Sequence, residues 1–176
     1  MSEVDYSIPA SECLAALVRN QVEYVVTVPD WVQLSLHDAI VKNTHGIQLI
    51  NCCSENQTLT VAAGLTVGGK RPLLMMQNQG LYNCINTLRA VCLDAHIPAV
   101  LMVGQFGREY ANLSEDPKQS GRSMVYIMEP VLDALGIQHM RLDTAADLSK
   151  IDEAYALAQA NGSAVVLLVS GPMAWS

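Results

Sequence analysis

The sequence predicts an α/β fold, an open, doubly wound, mainly parallel sheet of six strands with helices on both faces. Three observations carry that prediction. Short apolar, β-branched runs recur along the chain, and longer segments with apolar residues at three- and four-residue spacing lie between them. The 176 residues, 51% of them hydrophobic, suit one domain with a sizeable core, so residues 1–176 are read as a single domain.

Each element follows in turn. Leu14, Leu17 and Val18 mark a first helix, "YVVTV" at 24–28 a first strand, and Leu34, Ile40 and Val41 a second helix. "IQLI" at 47–50 is the second strand. The next helix carries Leu59, Ala62, Ala63 and Val67 on its stripe, with Ser54 as N-cap, Gln57 completing a capping box, and Glu55 in the first turn, where the helix dipole favours a carboxylate. "GGKRP" at 68–72 reads as that helix's C-terminus, with Gly68 or Gly69 left-handed and Pro72 opening the third strand, "PLLMM" at 72–76. A helical stripe over 80–93 leads to "AVLMV" at 99–103. After the polar, irregular stretch 105–123, too long for an ordinary connection, come a stripe at 129–135, "QHMRL" at 138–142, a stripe at 147–160 and "AVVLLV" at 164–169.

Ligands of such sheets bind beyond the carboxyl ends of the strands, so residues placed there are the candidates for function. Glu55 follows the second strand; a first-turn acid needs no chemistry to explain it, and a functional one must be buried and aimed at a ligand. Asp30 of "VPDW" follows the first strand and is expected to be an N-cap. Gln77, Asn78, Gln79 and Gly80 form a strand-to-helix turn whose exposed N–H groups and amides suit a heteroaromatic ring, and equally suit an ordinary Asx turn.

Several function classes are excluded. The net charge of −7 and the lack of any Lys/Arg run leave no footprint for nucleic acid or an anionic membrane. The acidic start "MSEVDYSIPASEC" is no secretory leader and no segment is long and apolar enough for a span, so a cytoplasmic location is expected. Five cysteines, an odd number without a CxxC pair, are expected as buried thiols. Four scattered histidines (His37, His45, His96, His139) are expected as packing or surface residues, and no metal site built by this chain is expected. "GLTVGGK" at 64–70 has the spacing of a phosphate-binding loop, but Arg71 stands where Ser or Thr is needed and its first Gly lies inside a helical stripe. No GxSxG elbow or nucleophile-base signature occurs.

Taken together, the acid after the second strand, the "AAG" beyond it, "GGKRPLLMMQNQGLYNCINTL" and "IPAVLMVGQFGRE" resemble the pyrimidine-binding (PYR) domain of thiamine-diphosphate enzymes. The chain looks most like the alpha subunits of sulfopyruvate decarboxylases and the corresponding half of phosphonopyruvate decarboxylases. The resemblance implies that Glu55 hydrogen-bonds N1' of the cofactor's aminopyrimidine, favouring the imino tautomer that activates the thiazolium toward a 2-oxo acid. It places Gln77, Asn78 and Gly80 beside the cofactor, with Gln79 where Ser is usual, and Asp30 near the substrate. Within the long loop it implies that Arg108, Lys118, Gln119 and Arg122 grip an anionic tail such as a sulfonate or phosphonate.

This sequence departs from the family at Asn56, where Gly is common after the acid, and in lacking the Pro-Met before the Gly-Arg pair. The family's "GDG" diphosphate anchor, which with a later Asn holds magnesium, does not occur among these 176 residues. A beta subunit is therefore expected to bring the diphosphate and Mg2+ site, in an alpha2beta2 or larger assembly, with the alpha chain inactive alone. Two rival readings stay open: the same cofactor with another 2-oxo acid or with carboligation, and a regulatory PYR-like module without catalysis.

Overall fold

The computed structural model of the chain describes residues 5–42 and 46–175. Residues 1–4, in the acidic start, and His45 lie outside the described residues. The elements are α1 (Ala10–Arg19), β1 (Tyr24–Thr27), α2 (Leu34–Lys42), β2 (Gln48–Asn51), α3 (Glu55–Val67), β3 (Pro72–Gln77), α4 (Asn78–Asn83), α5 (Ile85–Leu88), β4 (Ala99–Gly104), α6 (Ser123–Tyr126), α7 (Met128–Leu135), β5 (Gln138–Leu142), α8 (Ser149–Asn161) and β6 (Ala164–Val169). The six strands form one sheet in the order β2-β1-β3-β4-β6-β5, every pair parallel.

Alternation along the strands divides the core. Val25, Leu73, Met75, Val100, Met102, Val165 and Leu167 face α1, α2 and α8. Val26, Leu74, Met76, Leu101, Val103, Val166 and Leu168 face the side covered by α3, α4, α5 and α7. Strand β6 and nearly all of β3 and β4 are buried, as expected of central parallel strands, whereas the edge strand β2 is exposed at both ends. The chain leaves β1 outward to β2 and returns to β3 on the other side, so the β1/β3 boundary is a switch point, where such sheets bind ligands.

All six predicted strands are present, β5 and β6 with the predicted bounds and the other four with ends shifted by one residue. The stripe at 80–93 does not form one helix. Cys84 (φ −108°, ψ 14°) leaves the helical region and separates α4 from α5, and α5 passes directly into a π-helical turn at Arg89–Asp94. Helix α3 ends as predicted: Gly69 has φ +77°, with Gly69 N–H donating to Thr66 O (3.0 Å) and Lys70 N–H to Leu65 O (2.9 Å), a Schellman motif. Its beginning differs. Ser54 is extended but makes no side-chain cap bond, and Gln57 Oε1 instead accepts from Cys53 N–H (2.9 Å), so the capping box is not formed. Cys13, Cys84 and Cys92 are buried as expected, but Cys52 is half-buried and Cys53 exposed, because both lie past the end of an edge strand.

Candidate functional site

Two carboxylates stand at the carboxyl ends of the central strands, each pressed against a glycine. Glu55 opens α3, and its side chain lies on Gly80 of α4. A Cβ at Gly80 would overlap Glu55 Cγ outright and lie 2.6 Å from its Cδ and Oε1, so only glycine fits there while Glu55 keeps this conformation. The Glu55 carboxylate is half-buried and has no hydrogen-bond or ion-pair partner among the described residues. Its neighbour Cys84 is an inert one: burial first, and the charge of Glu55 second, push that thiol up to about 12. The next residue, Asn56, is tied down, donating from Nδ2 to Asn83 O (3.2 Å) and accepting on Oδ1 from Thr87 Oγ1–H (2.6 Å).

Asp30 is the opposite case. It is 1% exposed and packs on Gly104, where a Cβ would overlap Asp30 Oδ2 and lie 2.7 Å from Val32 Cβ. Rather than capping α2, which starts at Leu34, Asp30 closes an Asx turn: Oδ1 accepts from Val32 N–H (2.9 Å), and Oδ2 from Gln33 Nε2–H (2.7 Å). Burial raises its pKa above the ordinary carboxylate value, while donors from Gln33, Val32, Gln77 and Gly104 pull it back down.

Asn78, predicted in an exposed turn, is fully buried at the start of α4, directly after β3. Its Nδ2 donates to Phe106 O and Met124 O, both at 3.0 Å, and its Oδ1 accepts from Gln79 N–H (2.9 Å). Every amide valence aimed at a partner is thus used inside the fold. Gln77 is half-buried and turned toward Asp30. Of the four residues from Gln77 to Gly80, Asn78 and Gly80 are buried, Gln77 is half-buried and Gln79 exposed, and Gly80 alone meets the unpartnered acid.

The stretch 105–123 folds over the same end of the sheet and contains two 3-10 turns, Tyr110–Asn112 and Pro117–Gln119. Arg108 serves the loop itself: Nη2 donates to Asn112 O (2.8 Å) and Glu115 O (2.7 Å), and burial lowers its pKa. Its Nε and Nη1 are buried with no partner among the described residues. Lys118 and Gln119 are exposed, and the Arg122 side chain is 59% exposed, with Glu109 at 4.0 Å. The loop thus leaves Lys118, Gln119 and Arg122 facing outward and keeps Arg108 as an internal strut.

Sequence reasoning missed the amides around Asp30. Gln33 is completely buried, with Nε2 also donating to Met102 O (3.2 Å) and its Oε1 unpartnered. Gln105, 1% exposed, has neither side-chain polar atom paired, and Thr27 Oγ1 is likewise alone among the described residues. A glutamine three residues after Asp30, directly before an apolar helical stripe, was the available signal for Gln33; nothing local marks Gln105. Among the described residues no group of three or more His, Cys, Asp and Glu is placed to hold a metal ion, and no helix is long and apolar enough to cross a membrane.

Comparison with known proteins adds the following. Residues 10–137 match the family model described as the thiamine pyrophosphate enzyme, N-terminal TPP binding domain. The chain is similar to the sulfopyruvate decarboxylase subunit alpha of Methanothermobacter thermautotrophicus, with 30% identity over 103 residues, 58% of this chain and 62% of that protein. It is also similar to the same subunit of Methanococcus maripaludis, with 29% identity over 99 residues, 56% of this chain and 59% of that one. The chain thus spans about 60% of the length of these curated relatives. A solved chain of 2-oxoglutarate:ferredoxin oxidoreductase from Magnetococcus marinus, with 2-oxoglutarate, coenzyme A and succinyl-CoA bound, has a TM-score of 0.67. At 13% identity over 95% of this chain and 31% of that one, the likeness is one of fold.

Proposed function

The chain belongs to the family of the thiamine pyrophosphate enzyme N-terminal TPP binding domain, and from that premise we propose that it is the pyrimidine-binding subunit of a heteromeric thiamine-diphosphate-dependent 2-oxoacid decarboxylase. Sulfopyruvate, or a related pyruvate with an anionic group at C3, is the proposed substrate. The observation that carries the proposal is the Glu55 carboxylate, half-buried on Gly80 with no partner among the described residues, at the end of the sheet where ligands bind.

The residues present fit the cofactor's aminopyrimidine. A free carboxylate in the first turn of α3, a glycine beside it that admits close approach, and an inert Cys84 thiol make a place for a flat, nitrogen-bearing ring. When bound, thiamine diphosphate supplies the electron sink for losing carbon dioxide from a 2-oxo acid. Glu55 would hold the ring nitrogen through a shared proton, and the placement of its carboxylate on Gly80 would decide whether that proton is held in line. Gln77 and Asn78 act from behind, through Asp30 and the base of the loop, while Gly80 lines the cofactor's edge. Asp30 shapes the substrate end together with Gln33 and Gln105.

Arg122, Gln119 and Lys118, exposed on the loop, meet the anionic tail of the substrate, and Arg108 holds the loop in shape for them. A beta subunit carries the diphosphate and Mg2+ site, and the assembly contains at least two copies of each chain. The names of the relatives, each a "subunit alpha", support a second polypeptide.

Replacing Glu55 with Gln in the assembled complex tests the proposal. Carbon dioxide release from sulfopyruvate is expected to drop by about 10^3-fold, within the range for losing a positioned acid or base, while the complex still assembles. Full activity of Glu55→Gln would rule out the assigned role. Running phosphonopyruvate beside sulfopyruvate identifies the anionic group, and carbon dioxide from neither sinks the substrate assignment.

A further inference from the structure

Helix α3 packs from Thr58 onward, one turn after its start. Thr58, Leu59 and Ala62 are buried and Gln57, Thr60, Gly64 and Val67 are exposed, so packing sets the inner face of the helix, while the first-turn residues Glu55 and Asn56 are only half-buried. The Ser54 side chain makes no cap bond that would anchor the first turn. Polar contacts therefore add to packing in setting where that turn sits.

We infer that Asn56 is a positioning residue for Glu55, a polar clamp that fixes the first turn of α3 on α4 and α5. Its Nδ2 holds Asn83 O at the last residue of α4, and its Oδ1 receives the Thr87 hydroxyl from α5. Gly80 and Asn83 are three residues apart on α4 and so share a face. Glu55 lies on the first of these positions and Asn56 on the second. The two contacts meet successive points of one neighbouring helix and lock both the rotation and the axial position of the α3 start. Loss of the Asn56 clamp removes the tie between the first turn and α4 and α5, and the carboxylate leaves Gly80 for the open side, since no hydrogen bond or ion pair among the described residues holds it.

The inference rests on the reading of Glu55 given above for what the positioning serves, but its first test does not. On the full chain alone, chemical denaturation of Asn56→Ala, Thr87→Val and the double variant forms a cycle. The coupling is expected to be about fivefold in the unfolding constant, as for side chains in direct contact, with Thr87→Ser close to wild type because it keeps the hydroxyl. In the assembled complex, Asn56→Ala and Thr87→Val each raise the KM for thiamine diphosphate about tenfold and lower kcat, and Thr87→Ser restores both. Additive effects in the cycle, or a wild-type cofactor KM in Asn56→Ala, overturns the clamp. A fully active Glu55→Gln complex would remove the reading of the acid and leave the coupling on the isolated chain intact, so the two failures are told apart.

Discussion

Glu55 and Asp30 are built alike and end up opposite. Each carboxylate lies past the end of a strand and rests on a glycine whose missing side chain makes room for it. Asp30 is 1% exposed and meets donors from Val32, Gln33, Gln77 and Gly104. Glu55 is half-buried and meets none among the described residues. A glycine cradle alone is thus a packing solution available to any buried acid. What separates a structural carboxylate from one aimed at a ligand is whether the fold supplies its hydrogen bonds.

The two glycines offer the sharpest way to break this comparison. Gly104→Ala drives a methyl group into an enclosed network, and a loss of about 3 kcal/mol is expected, the upper end for overpacking. Gly80→Ala costs only about 1 kcal/mol, because Glu55 can swing to its open side. Urea denaturation of both variants checks the order, and equal losses would mean that Glu55 is as confined as Asp30.

A smaller effect comes from pH. Asp30 has a raised pKa in the folded chain, so the folded state binds its proton more tightly than the unfolded one does. Its contribution to stability is whole below the ordinary aspartate pKa and is lost as pH rises through the raised value. Denaturation between about pH 3 and 8 should show wild type losing stability relative to Asp30→Asn as pH rises from about 4, the ordinary range for Asp. An unchanged difference across that range would show that the surrounding donors fully offset burial. The smallest expected change is at Ser54, next to Glu55. Ser54→Ala should alter stability by less than about 0.3 kcal/mol, since no cap bond is lost, whereas a working cap is worth about 1 kcal/mol. Thermal unfolding of the variant measures it, and a full cap-sized loss would mean that the hydroxyl does hold the turn.

The sheet was legible because strands buried on both faces have to be apolar throughout, as β3, β4 and β6 are. The end of α3 was legible too, since a left-handed residue after a helix asks for glycine, and Gly69 supplies it. The break at Cys84 was not, because its neighbours keep the helical spacing on both sides. At the candidate site, Glu55 stood out by position, but the role proposed for it came from the resemblance. The fit between Glu55 and Gly80, and between Asp30 and Gly104, joins residues distant in sequence and leaves no local pattern. Asn78 was misplaced for a related reason: an amide after a strand signals a turn, and only the folded chain brings Phe106 O and Met124 O within its reach.

That single amide has an evolutionary consequence. By gripping the chain on both sides of the 107–123 excursion, Asn78 closes the loop at its root, so the entropy of bringing the ends together is met by a residue outside the loop. Insertions, deletions and charge changes between those two carbonyls leave α4 beneath Glu55 tied to the root of the loop by the same amide. On the proposed function, changes of loop sequence are thereby insulated from the acid that opens α3.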